Sequence, residues 1–156
     1  MRGDREIIPP FFEVGPKTYM YGPDMVDLAL RAEALSEQHA VDIILTPQWV
    51  DIADVARAVR RVHVFAQHMD PVRPGRGIGS VLPEALAAAG ASGVLLNHVE
   101  RRIPRDVLER TMERAHEVGL ATMVCADDAE DATEIASLAP TVIIVEEPAL
   151  IGAGTG

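Results

Sequence analysis

The chain has 156 residues, 48% of them apolar, which suits one domain with a substantial core and argues against a second. A formal charge of −10 argues against nucleic acid or an anionic membrane as the main partner, although a few local donors could still hold an anionic metabolite. No apolar run approaches the roughly 20 residues that span a bilayer, residues 1–10 lack the pattern of a signal or transit peptide, and the single cysteine, Cys125, excludes an intrachain disulfide framework and fits a reducing cytoplasm.

Short apolar runs alternate with amphipathic stretches along nearly the whole chain. Phe11-Phe12-Glu13-Val14 is the first predicted strand, preceded by an N-terminal extension over residues 1–10. Gly22-Pro23-Asp24 opens a helix that places Met25, Ala29, Ala32 and Leu35 on one face. Residues 41–45 form the second strand, 51–59 the second helix and 62–67 the third strand, followed by a Gly/Pro-rich loop over 71–79. Pro83 begins a helix that ends near Gly90, and Gly93-Val94-Leu95-Leu96 is the fourth strand. Pro104 starts a helix with Leu108, Met112, Ala115 and Val118 on one face, closed by Gly119. Residues 121–125 are the fifth strand, 129–138 its helix, and Val142-Ile143-Ile144-Val145 the sixth strand.

Such short, β-branched strands match parallel strands buried on both faces, and their spacing is that of βαβ units. Two α/β architectures remain on periodicity alone, an open doubly wound sheet and a (β/α) barrel. The open sheet would normally carry a Gly-rich phosphate loop after its first strand, where this chain has Gly15-Pro16-Lys17-Thr18-Tyr19. The stretch Gly75-Arg76-Gly77-Ile78-Gly79 follows the third strand and lacks a dinucleotide-binding context.

In a barrel the reactive side chains sit at the C-terminal ends of the strands. Those positions hold Lys17, Gln67-His68, Asn97-His98 and Glu146, so a cation, an imidazole and a carboxylate would meet over one mouth. Lys17 is the only lysine, all other basic residues being arginine. The pairs Arg60-Arg61 and Arg101-Arg102 make no basic stripe and read as solvated faces or structural ion pairs. His68 and His98 with Asp70 could be imagined as a metal site, Cys125 reads as a small core residue, and Trp49 as packing in a loop or at a subunit contact.

Five segments in order resemble triosephosphate isomerases, most closely the compact form known from archaea. They are Gly15-Pro16-Lys17-Thr18-Tyr19, Phe65-Ala66-Gln67-His68-Met69-Asp70-Pro71, Val81-Leu82-Pro83-Glu84-Ala85, Leu96-Asn97-His98-Val99-Glu100-Arg101, and the run from Val145-Glu146-Glu147-Pro148 to Gly154. The resemblance implies a parallel (β/α)8 TIM barrel, of which about six β/α units are present as a single domain over residues 1–156. It implies an aldose–ketose isomerase that interconverts glyceraldehyde 3-phosphate and dihydroxyacetone phosphate, or a related sugar phosphate such as a four-carbon one, through an enediolate. No cofactor and no metal are implied.

The resemblance assigns the catalytic base to Glu146, the catalytic histidine to His98 and the electrophilic, substrate-binding lysine to Lys17. Glu100 matches a supporting acidic residue, and Gly152 lies in a lid, residues 148–154, that donates a backbone N–H to the substrate phosphate. Carboxylate base, neutral histidine and a closing loop form a pattern already known for this family. It further implies a cytoplasmic homo-oligomer, dimer or tetramer, in which the loop over 71–79 docks into a neighbour and buries Ile78. Three changes, at four positions, depart from the family pattern. Gly15-Pro16 replace Asn and an aromatic, Val99 replaces Ser, and Glu147 replaces the proline after the base.

A barrel of this type takes about 250 residues, so the expectation from length is a chain about two units short of a full barrel. The units that carry most of the phosphate cradle would be missing, leaving the first and sixth strands with unpaired edges. A sequence that lacks the C-terminal part of a complete enzyme is the favoured explanation. A designed or natural fragment, or a non-catalytic homologue acting as an assembly module, is the alternative.

Overall fold

A computed structural model of the chain describes residues 6–147. The strands are β1 (Phe11–Val14), β2 (Asp42–Leu45), β3 (His63–Ala66), β4 (Gly93–Leu96), β5 (Ala121–Ala126) and β6 (Val142–Val145). Between them run α1 (Gly22–His39), α2 (Ile52–Ala58), α3 (Pro83–Ala89), α4 (Arg105–Glu117) and α5 (Ala129–Ala136). Single 3-10 turns, Trp49–Asp51 and Val99–Arg101, follow β2 and β4.

All neighbouring strands are parallel, and the sheet order is β1-β2-β3-β4-β5-β6. This order resolves the choice that periodicity leaves open. A doubly wound sheet reverses direction at a switch point, whereas here every strand lies beside its successor, as in a barrel. The six strands form a curled half-barrel with β1 and β6 as its outer strands.

The pleat divides the apolar residues into two cores. Ile43 and Leu45 of β2, Val64 and Ala66 of β3, Val94 and Leu96 of β4, and Val124 and Ala126 of β5 pack against the helices. Alternate residues face the barrel interior, where Ile44, Phe65 and Met123 are fully buried with Phe11, Leu95 and Ile144 around them. Phe65 is opposite Gly93 in the register, and a Cβ at Gly93 would stand 2.3 Å from the tip of the Phe65 ring. The glycine is there because the ring occupies the space a side chain would need.

The helices begin and end where local chemistry predicts. Pro23 sits in the first turn of α1 and Pro83 in that of α3, where a missing N–H costs nothing. Gly90 ends α3 in the left-handed region at φ 98°, and a Cβ there would also lie 2.8 Å from Ala56. Asp128 caps α5 by accepting from the N–H groups of Glu130 and Asp131, both at 2.9 Å.

One face differs from expectation. Met25, Ala29 and Ala32 are buried, but Leu35 is half exposed, and Ser36 completes the stripe by donating to the Val41 carbonyl at 2.7 Å. On α4, Thr111 and Arg114 are buried beside the expected Leu108, Met112 and Ala115. Among the described residues no helix is long and apolar enough to cross a membrane.

Candidate active site

Lys17 lies in the β1–α1 connection with φ 49°, a left-handed conformation that costs a non-glycine residue energy and needs support. Gln67, just past β3, supplies it. Its Nε2 donates to the Lys17 carbonyl at 2.9 Å and to the Thr46 carbonyl at 3.0 Å, tying the exits of β1, β2 and β3 together. Lys17 Nζ donates to Glu100 Oε1 at 2.6 Å. This bond holds the Lys17 ammonium above its ordinary range and the Glu100 carboxyl below its own.

His98 follows β4 and caps the 3-10 turn, its Nδ1 accepting the N–H of Glu100 at 3.1 Å. An acceptor at Nδ1 places the ring proton of the neutral imidazole on Nε2. That nitrogen faces Glu146 Oε2 at 3.6 Å, beyond a direct hydrogen bond, so the two groups border the same small region of the cleft. The turn is fixed by Asn97, which adopts φ 59°. Asn97 donates to the Cys125 carbonyl at 3.0 Å and accepts from the Ile103 N–H at 3.2 Å. Arg102 closes the turn by donating to the Asn97 carbonyl at 2.9 Å and pairing with Asp127. Glu146 continues the β5–β6 ladder, its N–H donating to the Ala126 carbonyl at 3.0 Å.

These elements bring Lys17, His98, Glu100 and Glu146 around one cleft of about 310 Å³, at the lower end of the size that binds small ligands. Gly152 and the segment 148–154 lie outside the described residues. His68 is not among the residues lining the cleft. It is buried, its Nε2 stands 3.3 Å from Asp70 Oδ1, and burial pushes its pKa down. Asp70 joins the two ends of the 71–79 loop, accepting the Val81 N–H at 2.7 Å and donating its own N–H to the Val81 carbonyl at 3.0 Å. Among the described residues no three His, Cys, Asp or Glu side chains are grouped to hold a metal.

Cys125 lines the cleft as part of its wall. Burial, with the Glu146 and Glu13 carboxylates adding to it, pushes its thiol up to about 12. Trp49 also lines the cleft, donating from Nε1 to the His68 carbonyl at 3.0 Å, with the Arg101 guanidinium 5.8 Å from its ring centroid.

Glu13, Thr46 and Arg101 also line the cleft, beyond the strand-end residues that the sequence singles out. Glu13 occupies an inward position of β1 between apolar neighbours, and a charge inside an apolar strand is the signal that could have revealed it. Burial pushes its carboxyl above the usual range. The Glu146 charge adds to that rise, and a hydrogen bond from Thr46 Oγ1 at 3.3 Å opposes it.

A family model described as triosephosphate isomerase matches residues 17–155. The chain belongs to the triosephosphate isomerase family. It is 38% identical to the triosephosphate isomerase of Methanobacterium bryantii over 88% of this chain and 62% of that protein. With the triosephosphate isomerase of Sulfurisphaera tokodaii it shares 36% identity over 94% of this chain and 64% of that protein. The chain thus spans less than two thirds of the length of these relatives. The crystal structure of a triosephosphate isomerase from Bartonella henselae superposes with a TM-score of 0.71 at 18% identity, covering 88% of this chain and 67% of that one. That likeness shows the TIM-barrel fold of the family, with partial coverage.

Proposed function

We propose that the protein is an aldose–ketose isomerase of a small sugar phosphate, for which glyceraldehyde 3-phosphate and dihydroxyacetone phosphate are the pair the family name supports. The observation that carries this reading is the meeting of one carboxylate, one Nε2-protonated imidazole and one ammonium around a single cleft. Moving a carbonyl along a sugar chain requires a weakly acidic proton to leave the carbon beside it and return to its neighbour. Glu146 takes the proton and returns it, serving both carbons. His98 donates from Nε2 to the oxygens as negative charge builds on the enediolate, and Lys17 adds a fixed positive charge. Glu100 holds both partners, His98 through its backbone and Lys17 through its carboxylate. Gly152 belongs to the same proposal as the residue that meets the phosphate. A cytoplasmic homo-oligomer is proposed as the working assembly, with Ile78, fully exposed in the single chain, as a contact.

A coupled isomerase assay on a panel of triose and tetrose phosphates tests the reading. The wild-type chain is expected to turn over at least one of them, with Glu146→Gln and His98→Ala each lowering kcat by about a hundredfold or more. Inert wild-type protein would overturn the function. Near-normal turnover in either variant would overturn the residue assignment.

A further inference from the structure

Glu13 is a carboxylate that the proton-transfer scheme leaves without a task. It lies on the inner wall of the cleft beside Glu146. Its only side-chain hydrogen bond among the described residues comes from Thr46 Oγ1, at 3.3 Å to Oε1. Thr46 Oγ1 also stands 3.4 Å from the Val14 carbonyl, so its single proton is divided between two long contacts. Oε2 has no donor among the described residues. Facing the cleft with little from the protein to bind it, this carboxylate has hydrogen-bonding capacity left for water or a ligand.

The adjacent residue makes the space. A Cβ at Gly15 would lie 3.0 Å from Glu13 Oε1 and 3.5 Å from both Glu13 Oε2 and Thr46 Oγ1. The absence of a side chain at position 15 therefore lets the carboxylate stand in the cleft rather than be covered or displaced. In the scheme above, His98 and Lys17 serve the two reacting oxygens of the sugar. A triose phosphate has no further carbon-chain oxygen besides its phosphate ester. A sugar phosphate with one more hydroxylated carbon has one left over.

We propose that Glu13 is a specificity-determining residue whose carboxyl group hydrogen-bonds a hydroxyl of the bound sugar phosphate, favouring substrates one hydroxylated carbon longer than a triose phosphate. This deepens the isomerase reading and rests on it.

Calorimetric titration of the full chain with glycerol 3-phosphate and with erythritol 4-phosphate tests this without requiring turnover. Wild-type protein is expected to prefer the longer polyol phosphate by about tenfold, the worth of a hydrogen bond to a charged group. Glu13→Leu should bring the ratio of the two affinities close to one. Gly15→Ala, which pushes the carboxylate aside without removing it, should narrow the ratio as well. It decides the matter if circular dichroism shows Glu13→Leu unfolded. Binding of both probes with no preference in the wild type, or a ratio unmoved by the substitutions, would overturn the role of Glu13 and leave the isomerase reading standing. Binding of neither would overturn both.

Discussion

Lys17, Glu100 and His98 form a relay in which one residue, Glu100, serves two others by different atoms. Its backbone N–H fixes the His98 ring, and its carboxylate holds the Lys17 ammonium. Glu100→Gln should therefore leave the His98 tautomer intact while weakening the hold on Lys17. Glu100 raises the proton affinity of Lys17, so its removal lets the lysine deprotonate at lower pH. The alkaline limb of kcat/KM for the proposed isomerisation is then expected to shift to lower pH, with the acid limb unmoved. A pH–rate profile of the variant measures this, and an unmoved alkaline limb would separate Lys17 from Glu100. Cys125 gives a second residue-level expectation. With its thiol pushed up to about 12, the thiolate fraction at pH 8 is about one in ten thousand. A thiol reagent should hardly react with the folded protein yet react rapidly in urea. The sign follows for stability too. Because the folded state keeps the proton longer than the unfolded one, the contribution of Cys125 is complete below pH 9.0 and is lost as pH rises toward about 12.

At the level of strands and helices, most of the architecture was legible because each strand is a short apolar run bounded by turn residues. β1, β4 and β6 coincide with the residues read as strands. The error on α1 has a geometric cause. At 100° per residue Ser36 lies about 20° from Met25 around the helix, whereas Leu35 lies about 80° away, so position outweighs hydrophobicity. Lys17, His98 and Glu146 were legible as polar residues that end apolar runs, and the fold brings them around one cleft. The work of Gln67 was not legible, because its partners are backbone carbonyls 21 and 50 residues away. Nor was the reason for Gly93, which lies in its contact with Phe65 rather than in any turn. That contact is testable. Gly93→Ala would place a methyl inside the space of the Phe65 ring and should cost about 1–3 kcal/mol by forcing the ring or strand aside. Urea unfolding measures the loss, and the double variant Gly93→Ala with Phe65→Leu should recover part of it. Full stability in Gly93→Ala would mean that the interior yields more easily than its packing implies.

Across the whole molecule the two faces of the sheet are unequal. The helix side holds a large continuous core, in which Leu45, Ile52, Val55 and Met25 are fully buried. On the interior side, Ile44, Phe65 and Met123 are the fully buried members of the cluster among the described residues, and the flanking Phe11, Val142 and Ile144 are partly exposed. At the two outer strands the helix side is open as well, with Phe12 of β1 at 67% and Val145 of β6 at 54% exposure. Burial, rather than residue type, decides what an apolar side chain contributes, so similar truncations on the two faces should differ in cost. Leu45→Ala removes a fully buried side chain between the sheet and the helices and should destabilise by about 2–5 kcal/mol. Ile144→Ala removes a branched side chain of the same size from the cleft wall, where water already reaches it, and should cost about 1 kcal/mol. Paired urea titrations of the full chain, analysed with a common slope, compare the two directly. Equal costs would mean that the interior side chains are covered as completely as those beneath the helices, and the division of the molecule into a strong outer core and a weaker inner one would be wrong.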